Sequence, residues 1–245
     1  MKVPLTTRKL MPEPREVLAA QGVPPGASVS SRLDRLVEDA LALLAEAAEP
    51  KGLVEPISRE ELNSVLAGDG QNAEDPVVGW IHPRADALAL FAATLGPRVT
   101  DEIEELFATD DAPLAVSLDA AASRMAQNAT AALEKTFSKS VSHDADGATD
   151  IHVLGYSPGY CGWHVSGQHA LFRRLRPERI GITLADSALM NPIKSVSGVL
   201  IAGSTQLHTF ETGFTYCSAC RDRSCIARMR RLEPESMDDT TAKGR

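Results

Sequence analysis

Ala87 to Leu95 reads Ala-Leu-Ala-Leu-Phe-Ala-Ala-Thr-Leu, with one hydroxyl as its only polar side-chain group. A run this short and this apolar fits a strand buried on both faces, since a half-exposed strand or an amphipathic helix would interleave polar residues. Helical periodicity dominates the chain around it. Leu33, Leu36, Val37, Ala40, Leu41 and Leu44 recur at helical spacing behind a cap at Ser30 or Ser31, and Pro50 closes the run. Ser58-Arg59-Glu60-Glu61 is a capping box that opens a helix through Leu66. Pro113 opens an Ala-rich helix to about Phe137, with Leu114, Leu118, Ala121, Ala122, Met125, Ala129 and Leu133 as its core stripe. Shorter helices are expected over Glu13–Ala20, Thr100–Phe107 and Val165–Leu175. Further strands are expected over Val77–Ile81, Ile151–Leu154 and Ser197–Ala202, and polar loops over 68–76 and 138–150. Strands and helices do not alternate strictly. The expected class is therefore α+β, with an antiparallel or mixed sheet flanked by helices.

The 245 residues, 43% of them apolar, suffice for one large domain with a real core. The expected layout is a loosely held, extended N-terminus at 1–12, a single domain over 13–232, and a frayed polar tail at 233–245. With 25 basic against 33 acidic side chains and aromatics at only 4%, the chain lacks the basic footprint and stacking surfaces of a nucleic-acid binder. No apolar run reaches the ~18 residues that a membrane span needs, and the N-terminus has no signal-peptide core, so a cytoplasmic protein is expected. The net charge of −8 is unevenly spread: residues 1–150 carry 13 basic and 25 acidic side chains, whereas 151–231 carry 10 basic and 4 acidic. A positive segment in an acidic chain is where an anionic group would dock, although a merely solvated face remains the plainer alternative.

Two motifs stand out in that segment. Gly155-Tyr156-Ser157-Pro158-Gly159-Tyr160-Cys161-Gly162-Trp163 contains a Pro-Gly turn that would display backbone amides, followed by a tyrosine able to offer a ring face and a hydroxyl. Leu184-Ala185-Asp186-Ser187-Ala188-Leu189-Met190-Asn191-Pro192-Ile193-Lys194-Ser195-Val196-Ser197-Gly198 runs through a polar bend into an apolar strand. Small residues at Ser195, Ser197 and Gly198 permit close approach there. Taken separately, these are an ordinary turn and an ordinary strand–loop–strand.

In combination they resemble the activation domain of cobalamin-dependent methionine synthase, above all its stand-alone relatives that serve a corrinoid enzyme as separate polypeptides. The specific part of the likeness spans about residues 155–203. The resemblance implies a twisted antiparallel sheet flanked by helices, S-adenosylmethionine as ligand, and a partner that carries cobalamin: a corrinoid-binding methyltransferase or a methionine synthase core protein. It also implies an electron donor, because accidentally oxidised cob(II)alamin is reduced by one electron before it is remethylated. Carried over by position, the ligand-binding residues are Ser157, Pro158, Gly159, Tyr160 and Asp186, and the Pro158–Gly159 bend should share one concave pocket with the strand begun at Ser195. Two positions depart from the family pattern. Gly155 stands where the family has an arginine for the ligand carboxylate, and Asp186 where it has a glutamate. Loss of a bidentate cation costs about 2–4 kcal/mol unless another donor replaces it, and Arg173, Arg174 or His152 are the available substitutes.

Cys217, Cys220 and Cys225 fall within nine residues, amid Arg221, Arg223, Arg228, Arg230 and Arg231, while Cys161 follows the Pro-Gly turn. A reducing compartment disfavours structural disulfides, and four thiols suit tetrahedral zinc or an iron–sulfur cluster. Redox thiols and inert cysteines are the alternatives, because the spacing is not a standard ferredoxin run. Two functions follow. The first is reactivation of a corrinoid methyltransferase by S-adenosylmethionine-dependent reductive methylation. The second is a non-catalytic metal- or iron–sulfur-containing module that docks on such a partner without using S-adenosylmethionine.

Overall fold

The structure, a computed structural model, describes residues 1–73, 76–144 and 151–208. Its elements run β1 (Lys2–Pro4), α1 (Thr7–Leu10), α2 (Pro14–Ala20), α3 (Ser31–Ala47), β2 (Lys51–Pro56), α4 (Arg59–Ala67), α5 (Val77–Ile81), β3 (Ala87–Thr94), α6 (Pro97–Ala108), α7 (Ala112–Asp144), β4 (His152–Tyr156), α8 (Gly167–Leu175), β5 (Thr183–Leu184), β6 (Met190–Asn191), β7 (Ser195–Gly203) and α9 (Thr205–His208). Five strands form one sheet in the order β1-β2-β3-β7-β4, antiparallel throughout, and β5 and β6 form a small hairpin of their own. The α+β expectation holds.

The apolar run at 87–95 is the middle strand, and its two faces open two cores. Ala89, Phe91 and Ala93 face α3, α6 and α7; Leu88, Leu90 and Ala92 face α4, α5 and α8. A strand covered on both sides has no polar face to show, which is why its sequence does not alternate. Along its whole length β3 pairs with β7, from Ala87 opposite Ala202 to Thr94 opposite Ser195.

The helix caps follow the sequence. Ser30 accepts from the Leu33 amide, and Ser58 and Glu61 satisfy each other's backbone amides reciprocally. Five segments differ from expectation. Val77–Ile81 is a helical turn rather than a strand, with Val77, Val78 and Ile81 turned into one core; five apolar residues carry no decisive period. Helix α7 runs on to Asp144, because Val141 continues the stripe one turn beyond Phe137. Helix α6 starts at Pro97, where proline's missing N–H costs nothing, rather than at Thr100. Strand β2 was not apparent between Pro50 and Pro56. Residues 1–12, expected to be loosely held, carry two elements here: β1 pairs with β2 and Leu10 is buried. Cys217, Cys220, Cys225 and the tail 233–245 lie outside the described residues. No helix among those described is long and apolar enough to cross a membrane.

Candidate functional site

The first motif folds as two interlocked turns at the end of β4. Tyr160 N–H donates to the Ser157 carbonyl at 3.2 Å, with Pro158 and Gly159 (φ 93°) at the centre, the arrangement of a type II turn. Trp163 N–H then donates to the Tyr160 carbonyl at 3.0 Å around Cys161 (φ 52°) and Gly162 (φ 78°), and Gly159 N–H closes the pair on the Trp163 carbonyl at 2.7 Å. Three of the amides expected to be displayed are thus consumed inside the motif. Rigidity is what the turn gains instead. The loop before α5 secures it from outside: Val77 and Ala73 N–H donate to the Cys161 and Gly162 carbonyls, and the His164 amide donates to Asn72 Oδ1 at 2.9 Å. Tyr160 is left 53% exposed, with Val165 beside Gly159.

The second motif meets the first through the sheet. Tyr156, the last residue of β4, lies opposite Val199, so the double turn leaves the sheet beside Ser195–Gly198. A Cβ on Gly198 would stand 2.1 Å from the Tyr156 carbonyl oxygen, so only glycine allows this approach. Buried Ser197 donates to Gln168 Oε1 at 2.6 Å, tying β7 to the first turn of α8. The Trp163 ring lies flat on Gly167, where a Cβ would come within 2.3 Å of the indole nitrogen. At the start of β7, Lys194 Nζ reaches Asp119 Oδ1 at 2.7 Å and Ser123 Oγ at 2.9 Å on α7. Ser157, Pro158, Gly159 and Tyr160 therefore sit together next to the small-residue stretch of β7. Asp186 stands exposed on the β5–β6 hairpin.

Gly155 has a structural reason. It faces α7, its amide donates to Glu134 Oε1 at 2.8 Å, and a Cβ would meet Thr130 Cγ2 at 3.2 Å, Glu134 Oε1 at 3.3 Å and Phe91 Cε1 at 3.3 Å. A longer side chain here would have to displace these three side chains. Of its candidate substitutes, Arg174 is committed elsewhere, bound to Glu55 and twice to Glu61. Burial raises the Glu55 pKa, but hydrogen bonds from Arg179 and Arg174 outweigh this and hold its carboxyl below the usual range. Arg173 is exposed on α8, and the His152 carbonyl hydrogen-bonds buried His208. Glu134 and Gln168 escaped the sequence reading. Glu134 adjoins a core stripe, and Gln168 carries no pattern that separates it from a surface residue of its helix. Among the described residues no group of three or more metal-ligating side chains forms; Cys161 is half-buried in the turn, and its three proposed partners lie outside the described residues.

The fold is thus a layered α+β domain that holds a rigid, partly exposed turn beside β7 at one edge of its sheet. Residues 69–216, more than half of the chain, match the family described as vitamin B12 dependent methionine synthase, activation domain, and the chain belongs to that family. Among solved structures it is similar to the crystal structure of the MetH reactivation domain bound to AdoHcy, at 17% identity and a TM-score of 0.53. That similarity covers 82% of this chain and 77% of the other. No curated protein matches it.

Proposed function

We propose that this chain reactivates a corrinoid methyltransferase or methionine synthase core protein, with S-adenosylmethionine held against the 157–160 turn. The chemistry required is a one-electron reduction of the partner's cob(II)alamin by a separate donor, followed by transfer of the sulfonium methyl to cobalt with loss of S-adenosylhomocysteine. The chain's contribution is positioning. The double turn fixes Tyr160, which is about half-exposed at the rim of the sheet, and Ser195, Ser197 and Gly198 keep the adjoining part of β7 small. Asp186 is proposed as a further ligand contact from the hairpin. The observation that carries this reading is the meeting of the two family motifs at one end of the sheet; the similar MetH domain is described as bound to AdoHcy, which agrees with it.

One observation favours a second reading. The place of the family's arginine is filled by Thr130, Glu134 and Phe91, so a carboxylate-bearing ligand lacks its usual cation. The chain would then dock on its corrinoid partner without S-adenosylmethionine, carrying zinc or an iron–sulfur cluster on Cys161, Cys217, Cys220 and Cys225.

Calorimetric titration with S-adenosylmethionine separates the two. Saturable binding that Tyr160→Ala weakens about tenfold or more is expected from the loss of a stacking and hydroxyl contact. Absence of binding at millimolar ligand removes the first reading. In that case metal analysis of anaerobically purified protein decides the second, which requires bound zinc, or iron with visible absorbance.

A further inference from the structure

A groove of about 540 Å³ lies on the other edge of the sheet from β4, between β1, the start of β2 and the 3-10 turn Pro177–Ile180. Among the described residues its charged lining consists of Lys2, Lys51 and Arg179, with no carboxylate. In a chain of net charge −8 this is a concentrated exception. The sheet register explains how it arises. Lys2 lies opposite Leu53 and Pro4 opposite Lys51, so both lysines project from one face of the sheet as a diagonal cross-strand pair about 7–8 Å apart. That face also carries the 3-10 turn, whose Ile180 is buried in the same core as Leu53. The fold thus joins two lysines of the acidic first half to an arginine of the basic segment.

The three cations are not equivalent. Arg179 donates to Glu55 Oε2 at 2.7 Å and to the Leu175 carbonyl at 2.8 Å, so a carboxylate outside the groove shares its charge. Lys2 and Lys51 are both exposed. Val54 N–H donates to the Met1 carbonyl, which makes Lys2 and Leu53 a non-hydrogen-bonded pair and directs the Lys2 amide outward to the open edge. Two exposed lysines on neighbouring strands therefore border one recess. We infer that this groove binds a small phosphate-bearing ligand, gripped by Lys2 and Lys51 with Arg179 as the fixed wall. Among the described residues no aromatic side chain lines the recess, so the ligand is recognised there by its anionic groups and not by a stacked ring.

The test is calorimetry with inorganic pyrophosphate on the full chain, with sodium sulfate at matched ionic strength as the control. Saturable binding is expected in the wild type, about tenfold weaker for each of Lys2→Gln and Lys51→Gln, and retained in the Lys2→Arg, Lys51→Arg pair. Both side chains are exposed, so the variants fold, and circular dichroism checks this. Absence of saturable heat at millimolar pyrophosphate overturns the site, as does equal binding by the glutamine variants or an equal response to sulfate. Tyr160→Ala lies at the other edge of the sheet and should leave pyrophosphate binding unchanged, so the outcome is independent of the reactivation reading.

Discussion

Glu55 is a single carboxylate on β2 gripped by two arginines from the opposite end of the sequence, Arg174 on α8 and Arg179 in the following 3-10 turn. Its pKa is lowered in the folded state, so its stabilising contribution is complete above the unfolded glutamate value, about 4.3, and disappears as pH falls through the lower folded value. Glu55→Gln should cost about 1 kcal/mol at neutral pH, a modest figure because the partners are solvated. Urea denaturation of both proteins from neutral to acid pH is the check. The two stabilities should converge under acid conditions, and a gap independent of pH would show that charge is not what Glu55 contributes. None of this pairing was legible from composition, since spacings of 119 and 124 residues leave no local signature.

At the scale of elements, the legible parts were those with a local cause. The caps at Ser30 and Ser58, the stripe of α7 and the unbroken apolar run of β3 each announce themselves within one or two turns of chain. What stayed hidden was set by distant partners. Strand β2 is short, bounded by prolines and defined by pairing with β1 and β3; α5 is a helical turn because the Cys161 carbonyl and one core face fix it. The site divides in the same way. The Pro-Gly turn and the small residues of β7 were readable, while Glu134 under Gly155 and Gln168 against Ser197 depend on which helix lands on which strand. The joint between β4 and β7 allows a sharp test. Gly198→Ala pushes a methyl group against the Tyr156 carbonyl and should destabilise the protein by about 1–3 kcal/mol or more, because backbone and not a flexible side chain must move. Chemical denaturation measures the loss, and amide exchange at 152–156 should rise with it; an unaffected β4 would refute the close contact.

For the molecule as a whole, the decisive fact is that β7, which lies between β3 and β4 in the sheet, follows both of them in the sequence. Among the described residues β4 pairs with β7 and with no other strand, and β3 has β7 as its second neighbour although Thr94 lies opposite Ser195, far along the chain. Truncation after residue 194 should therefore do more than remove one strand. It strips one of the two ladders from β3 and leaves β4, together with the double turn, without its strand partner β7. Circular dichroism of such a fragment should show helix without a cooperative thermal transition; a cooperative melt would mean that β1-β2-β3 and the helices form an independent unit. On a ribosome, the same arrangement means that a nascent chain holds one edge of its apolar strand β3 open until residues 195–203 have emerged, so chaperone demand and translation speed up to that point should govern how much folded protein a cell obtains.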